Sequence, residues 1–205
     1  SARGASRSVE ECWMPRIFVA VPVAAPVRAA LSRLRRHPAP GLRWVAEHQF
    51  HITLKFLGDT SEADVETVRR AAERAALSES AAGASSPPGP SGLELAARSV
   101  GAFPNARSVR VVWAGVTGDT ARLSGLQRAL DEYLTLAGFE PEARPFKPHI
   151  TIARARRPEP LPEALRQYAD CEFGRWRADA VEIVESRLTP AGPIYTVRHR
   201  VPIGS

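Results

Sequence analysis

One four-residue phrase occurs twice in the chain, and this repeat constrains the fold more than any other feature of the sequence. The two copies read His51-Ile52-Thr53-Leu54 and His149-Ile150-Thr151-Ile152. Successive side chains of a β-strand point to opposite faces, so each copy has its histidine and threonine on one face and two aliphatic residues on the other. The repeat therefore predicts two equivalent strands, each with one polar face and one buried face.

The polar face of each predicted strand carries side chains that can hold and cleave a phosphodiester. An imidazole and a hydroxyl two residues apart on a strand are separated by about 7 Å at their Cα atoms, which suits one small tetrahedral anion. Two imidazoles can serve as a general acid and a general base. The repeat predicts His51 and His149 as catalytic residues, and Thr53 and Thr151 as ligands of the phosphate oxygens.

The other histidines and one lysine are weaker candidates. His48 lies three residues before His51 and would face the opposite side of an extended strand. His37 follows a predicted helix, and His199 lies on a predicted hairpin near the end of the chain. Lys55 lies four residues after His51, so on a regular strand its side chain shares the face of His51 and is a candidate for the floor or rim of the pocket.

Hydrophobic patterns and turn signals predict two halves with the same order of elements. In the first half we expect strands at 16–23, 43–45 and 51–57 and helices at 26–36 and 61–77. In the second half we expect strands at 109–116 and 149–153, a helix at 120–137, and a hairpin of strands 181–188 and 194–201 with a five-residue loop.

The similar spacing of the two halves indicates an internal duplication. The sequence is interpreted as one bilobal domain over residues 14–205, preceded by a disordered extension at 1–13. The low-complexity segment 78–92, rich in Ser, Pro, Gly and Ala, is predicted to be a loop between the halves.

Composition narrows the classes of function. Twenty-eight basic against 22 acidic residues give a net charge of +6, which favours a polyanionic partner. The 2 cysteines have no metal-ligand spacing, no acidic residue lies inside either motif, and no phosphate-binding Gly-rich loop or Gly-x-Ser-x-Gly motif is present. The longest apolar stretch, 17–27, contains two prolines and is too short to span a bilayer. We therefore expect a cytoplasmic protein without a metal ion, another cofactor or a membrane segment.

Several sequence blocks resemble the 2H phosphoesterase superfamily, most closely the RNA 2′,3′-cyclic phosphodiesterases, also called 2′-5′ RNA ligases. The blocks occur in the expected order, and the resemblance covers residues 15–203. They comprise residues 16–20, 43–45, 51–58, 101–104, 111–116, 144–154 and 185–195.

The resemblance implies an α+β fold of duplicated β-α-β-α-β units, with antiparallel sheets that line a central cleft and helices outside. It also implies a phosphate-binding role for Arg154 and a role for Phe56 in stacking on the nucleobase. Strict alternation along the motif strands would put both side chains on the face opposite the histidines. Each strand must therefore end or bulge before it reaches them.

The activity implied by the resemblance is metal-independent hydrolysis of a terminal RNA 2′,3′-cyclic phosphate to a 2′-phosphate, by a monomer. We prefer His149 as the base and His51 as the acid, although the pseudo-symmetry of the motifs allows the reverse assignment. The reverse reaction would form a 2′-5′ RNA linkage. Two alternatives stay open: the same chemistry on small cyclic nucleotides or ADP-ribose cyclic phosphate, and a non-catalytic protein that binds RNA ends.

Overall fold

The computed structural model describes residues 14–82 and 91–204, in which nine β-strands form one antiparallel sheet. The strands are β1 (Arg16–Pro22), β2 (Leu42–Trp44), β3 (His51–Asp59), β4 (Leu93–Asn105), β5 (Ser108–Gly118), β6 (His149–Glu159), β7 (Glu172–Ala178), β8 (Ala180–Thr189) and β9 (Gly192–Pro202). The helices are α1 (Ala25–Ser32), α2 (Glu62–Ala82), α3 (Thr120–Leu136) and α4 (Glu163–Arg166).

The order of the strands is symmetric about the two motif strands. The sheet runs β7-β4-β5-β6-β3-β1-β8-β9, and the short β2 pairs with β6. Each motif strand is thus the innermost strand of one half of the sheet, with β3-β1-β8-β9 on one side and β6-β5-β4-β7 on the other. This arrangement confirms the predicted α+β class, the duplication and the antiparallel strands.

One face of the sheet packs on helices and holds the hydrophobic core. Helix α3 contributes leucines spaced three and four residues apart, which is the spacing of one helix face. They are Leu123, Leu126, Leu130 and Leu134, all buried. Helix α2 packs against α3 and against strands β8 and β9, and α1 packs against β7. The opposite face carries the half-buried histidines and threonines of the two motifs.

Several element predictions were incomplete or wrong. Strands β4 and β7 were not predicted: β4 contains Gly101 and Pro104, and the edge strand β7 carries charged residues, so neither has a clear alternating pattern. The β8–β9 hairpin turns through two residues between Thr189 and Gly192, because pairing extends further toward the turn than the sequence indicated.

The predicted loop at 78–92 was wrong at its start, because α2 continues to Ala82. Residues 83–90 of that segment and the extension at 1–13 lie outside the described residues. Among the described helices, none has the length and apolar character needed to cross a membrane.

Candidate active site

The pairing of the two motif strands brings the four motif side chains together. Ile52 of β3 lies directly opposite Ile150 of β6 in an antiparallel pair, and both are buried. Extending this register by one residue in each direction sets His51 opposite Thr151, and Thr53 opposite His149. Residues directly opposite each other share a face of the sheet. The two histidines and the two threonines therefore form one group on the cleft face.

Strand β3 carries a β-bulge immediately after its motif threonine. Against β1, Thr53 pairs with Ala20 but Lys55 pairs with Val19, so Leu54 is an extra residue. A bulge of this kind shifts the alternation of side chains by one position. Leu54 and Lys55 are consecutively buried as a result.

Strand β6 repeats the same irregularity at the equivalent position. Against β5, Thr151 pairs with Trp113 but Ala153 pairs with Val112, so Ile152 is the extra residue. Ile152 and Ala153 are consecutively buried. The duplication therefore includes the bulge as well as the motif, which supports a common local geometry for the two strands.

The bulges turn Phe56 and Arg154 back to the face of the histidines. Both residues are exposed, and Phe56 has 65% of its surface accessible. The irregularity that the sequence required before these two residues is thus present, and neither side chain points into the core. Lys55 is turned the other way: its Nζ donates hydrogen bonds at 2.6 Å to both Asp131 and the carbonyl of Glu140. The suggestion that Lys55 borders the pocket was wrong.

His51 is held in one orientation by hydrogen bonds at both ring nitrogens. Its Nδ1 donates to the carbonyl of Gln49 at 2.7 Å, and its Nε2 lies 3.0 Å from the Thr53 hydroxyl. The rings of Phe18 and Tyr195 pack around it, with centroids 4.8 and 5.7 Å away. This burial is the main reason that the pKa of His51 is lowered from 6.5 to about 4, and the positive charge of Arg154 lowers it further.

His149 has the same backbone anchor and a more open environment. Its Nδ1 donates to the carbonyl of Lys147 at 2.6 Å, and the ring of Phe103 packs edge-on with a centroid distance of 5.1 Å. Burial lowers the pKa of His149, and Arg154 again contributes in the same direction. In both histidines the carbonyl can only accept, so Nδ1 carries the proton of the neutral ring and Nε2 is unprotonated. The Nε2 of His51 then accepts a hydrogen bond from the Thr53 hydroxyl.

Arg154 is the cationic group shared by the two halves of the site. Its charge lowers the pKa of both His51 and His149 and also acts on Tyr195, so the guanidinium lies within electrostatic reach of all three. No ion pair joins Arg154 to a carboxylate in the part of the chain that the structure describes. A guanidinium of this kind can bind phosphate oxygens through two parallel hydrogen bonds.

The structure also adds aromatic residues that spacing alone did not identify. Phe18 and Tyr195 surround His51, Phe103 packs on His149, and the ring of Phe56 lies 5.8 Å from that of Phe18. Phe18, Phe103 and Tyr195 each occur in a sequence block that carries the resemblance, which was the available signal. Their place in the site depends on strands far apart in the sequence.

Within residues 14–82 and 91–204, no three His, Cys, Asp or Glu side chains come together in a group that could hold a metal ion. The motif histidines have threonines rather than carboxylates beside them. Metal-independent chemistry stays a prediction for this site.

Comparison with known sequences gives the same family across most of the chain. The family model of the 2′-5′ RNA ligase superfamily matches residues 22–189. The RNA 2′,3′-cyclic phosphodiesterase of Methanothermobacter thermautotrophicus is 33% identical over 187 residues, covering 88% of this chain and 95% of that protein. The protein of the same name from Archaeoglobus fulgidus is 34% identical over 183 residues, covering 88% of this chain and 96% of its own length.

Solved structures give the same fold. The crystal structure of TT0787 from Thermus thermophilus is 30% identical, with a TM-score of 0.72 and coverage of 92% of this chain and 98% of that chain. E. coli LigT complexed with 3′-AMP superimposes with a TM-score of 0.72, covering 94% of this chain and 99% of that chain at 23% identity. At that identity the likeness to LigT shows the fold alone.

Proposed function

Because the chain belongs to the 2′-5′ RNA ligase superfamily, we propose that it hydrolyses the 2′,3′-cyclic phosphate at the end of an RNA and leaves a 2′-phosphate. One observation carries the proposal: Ile52 pairs with Ile150, and this register groups the two histidines and two threonines on a single face. The names of the two archaeal relatives support the same substrate class.

In this proposal the phosphate is held by hydroxyls and one guanidinium. Thr151 donates a hydrogen bond to a nonbridging oxygen, and Thr53 can do the same once His51 is protonated and its Nε2 no longer accepts from the Thr53 hydroxyl. Arg154 offsets the negative charge that grows on the pentacoordinate phosphorus. Phe56, exposed on the same face, stacks on the terminal nucleobase. The substrate thus lies across the junction of the two halves of the sheet.

The two imidazoles divide the proton transfers between them. The neutral Nε2 of one histidine takes a proton from water as the water oxygen forms its bond to phosphorus. The Nε2–H of the other, as imidazolium, gives its proton to the 3′ oxygen as the bond from phosphorus to that oxygen breaks. We assign His149 as the base and His51 as the acid, with the reverse assignment as the alternative.

Bound substrate would supply the charge that the acid needs. Burial and the positive charge of Arg154 lower the pKa of both imidazoles, so both are neutral at pH 7 in the free protein. An anionic phosphate beside Arg154 offsets that positive charge and attracts a proton to an adjacent imidazole. Substrate binding therefore favours the singly protonated pair.

Substitution of each histidine tests the two-histidine mechanism. His51→Ala and His149→Ala should each lower kcat for an RNA with a 2′,3′-cyclic phosphate by at least about 100-fold, the scale of one general acid or base. His48→Ala is the matched control, because that histidine is exposed and lies outside the motif. More than roughly a tenth of wild-type activity in either motif variant would contradict the mechanism.

A substrate with sulfur in place of the 3′ oxygen separates the acid from the base. A thiolate leaves without protonation, so this substrate should restore activity to the variant that lacks the acid and leave the other variant inactive. Rescue of His51→Ala supports the assignment given above, and rescue of His149→Ala reverses it. Rescue of neither variant would argue against general acid catalysis at this site.

Assays with different substrates distinguish the competing functions. Wild-type protein assayed with cyclic phosphate-terminated RNA, 2′,3′-cyclic AMP and ADP-ribose cyclic phosphate will rank the substrate classes by kcat/KM. Binding of RNA ends without turnover would identify a non-catalytic protein. The same site run in reverse would join a cyclic phosphate to a 5′-hydroxyl, and formation of a 2′-5′ linkage from two such RNAs tests that activity. The cytoplasmic location and the monomeric state stay predictions.

A further inference from the structure

Two arginines lie directly opposite each other at the edge of the site. Arg43 of β2 pairs in register with Arg154 of β6, and both side chains are exposed. Within residues 14–82 and 91–204, neither forms an ion pair with a carboxylate. Like charges in direct cross-strand register destabilise a sheet.

Register puts Arg43 in the cleft. Residues opposite each other share a face, so the side chain of Arg43 lies on the same face as Arg154. Its guanidinium reaches Gly192 in the β8–β9 hairpin, where an added Cβ would lie only 2.9 Å from a guanidinium nitrogen. The amide of Gln49 donates a hydrogen bond to the carbonyl of Pro193 and ties that hairpin to the segment before β3. The Arg43 side chain therefore extends from β2 to the β8–β9 hairpin.

The positive charge continues outward along β6. The backbone N–H of Arg156 donates to the carbonyl of Gly41 at 3.0 Å, which extends the β2–β6 register by one more pair. Arg156 is exposed, and alternation gives it the same face as Arg154. The carboxylate of Glu159 packs over Gly41 and marks the outer limit of this basic strip, defined as Arg43, Arg154 and Arg156.

We propose that Arg43, assisted by Arg156, forms a second anion subsite that binds the phosphodiester on the 5′ side of the terminal nucleotide. The inference rests on the proposed function, in which Arg154 meets the cyclic phosphate. Two anions in neighbouring positions would neutralise the opposed arginines. The planar guanidinium can bind a phosphate through two parallel hydrogen bonds. The subsite makes the cleft selective for RNA ends over cyclic mononucleotides.

Three substrates that share one cyclic phosphate isolate the contribution of the second phosphate. They are 2′,3′-cyclic AMP, the same nucleotide with a 5′-phosphate, and the adenosine dinucleotide ending in a 2′,3′-cyclic phosphate. For the wild-type protein we expect kcat/KM to rise at least about tenfold on addition of either second phosphate, the scale of one hydrogen-bonded charged group. The preference is the ratio of these values to that for 2′,3′-cyclic AMP.

Substitution of Arg43 should remove most of that preference. We expect Arg43→Gln to lower the ratio about tenfold. Arg43→Lys keeps the positive charge but loses the planar set of guanidinium donors, so it should lower the ratio less. The matched control is Arg128→Gln, an exposed arginine on α3, and it should keep the wild-type ratio. Thermal unfolding of each variant verifies that the fold is intact. The slope of log(kcat/KM) against log salt for the dinucleotide should also flatten by about 0.7 in Arg43→Gln.

The outcomes separate this inference from the proposed function. A wild-type protein inactive on all three cyclic phosphates would refute the proposed function itself. Activity with equal kcat/KM on all three would refute only the second subsite, and so would an unchanged ratio in Arg43→Gln. If kcat/KM rises for the dinucleotide but not for the 5′-phosphorylated mononucleotide, the protein recognises the added nucleoside and not the second phosphate. That result would also overturn the inference.

Discussion

Stability of the protein should depend on pH through His51, because this histidine is packed in its neutral form. The imidazole lies against Phe18 and Tyr195, and its pKa falls from 6.5 to about 4 on folding. Between these values the unfolded chain binds a proton that the folded protein does not. The free energy of unfolding must therefore rise with pH across this window, and the stability is lost as the pH falls from 6.5 toward 4.

The size of the effect follows from the two pKa values. Each pH unit within the window changes the free energy of unfolding by at most 1.36 kcal/mol per group, so His51 alone should remove about 1 kcal/mol at pH 5.5 and about 2 kcal/mol at pH 4.5, relative to pH 7. His149, whose pKa is also lowered, acts in the same direction. These amounts are a sizeable part of the total stability of a typical domain.

Denaturant unfolding of wild type and His51→Gln at pH 7, 5.5 and 4.5 measures this contribution. Carboxylates titrate in both proteins, so the relevant quantity is the difference in unfolding free energy between them at each pH. We expect His51→Gln to gain about 2 kcal/mol relative to wild type between pH 7 and 4.5. A difference that stays constant over this range would refute a buried, neutral His51.

Three further results are expected for activity. The profile of kcat/KM against pH should be bell-shaped with both limbs below pH 6.5, because kcat/KM reports the free protein, in which burial lowers the pKa of both His51 and His149. A flat profile from pH 4 to 9 would contradict paired acid and base catalysis. Activity should survive exhaustive EDTA treatment, since no set of metal ligands converges in the described residues; loss that one divalent ion restores would show a metal requirement. Arg154→Ala should mainly lower kcat, because the guanidinium offsets negative charge that develops on the phosphate in the transition state. Phe56→Ala should mainly raise KM, since stacking on the base, worth roughly 1–3 kcal/mol, is present in both the ground state and the transition state. The opposite pattern would mean that the two roles are exchanged.

The repeated motif was sufficient to predict the symmetric centre of the fold. A histidine and a threonine two residues apart can share a face only on an extended strand, and aliphatic residues between them require a buried opposite face. The sequence therefore predicted β3 and β6 as equivalent strands before any contact between them was known. It also indicated that both strands must bulge or end before Phe56 and Arg154, because alternation alone would turn those side chains away.

Elements without such periodicity were harder to predict. Strand β4 runs through Gly101 and Pro104, which weaken a strand pattern, yet it pairs with β5 from Leu95 to Asn105 and with β7 from Leu93 to Arg98. Its stability comes from those neighbours, and neighbours are not visible in a local window of sequence. The prediction that Lys55 borders the pocket was wrong for a related reason. In a regular strand its side chain would share the face of His51, but the bulge at Leu54 turns it toward Asp131.

Local sequence thus determined which residue types the site contains and which strands carry them, because alternation is a property of neighbouring residues. Tertiary structure decided how the two copies meet. The pairing of Ile52 with Ile150 fixes the register, and a shift of one residue would turn one set of polar side chains into the core. The low pKa of His51 and the opposition of Arg43 to Arg154 likewise arise from segments far apart in sequence. Burial and electrostatic interaction depend on distance in space, and only the folded sheet sets those distances.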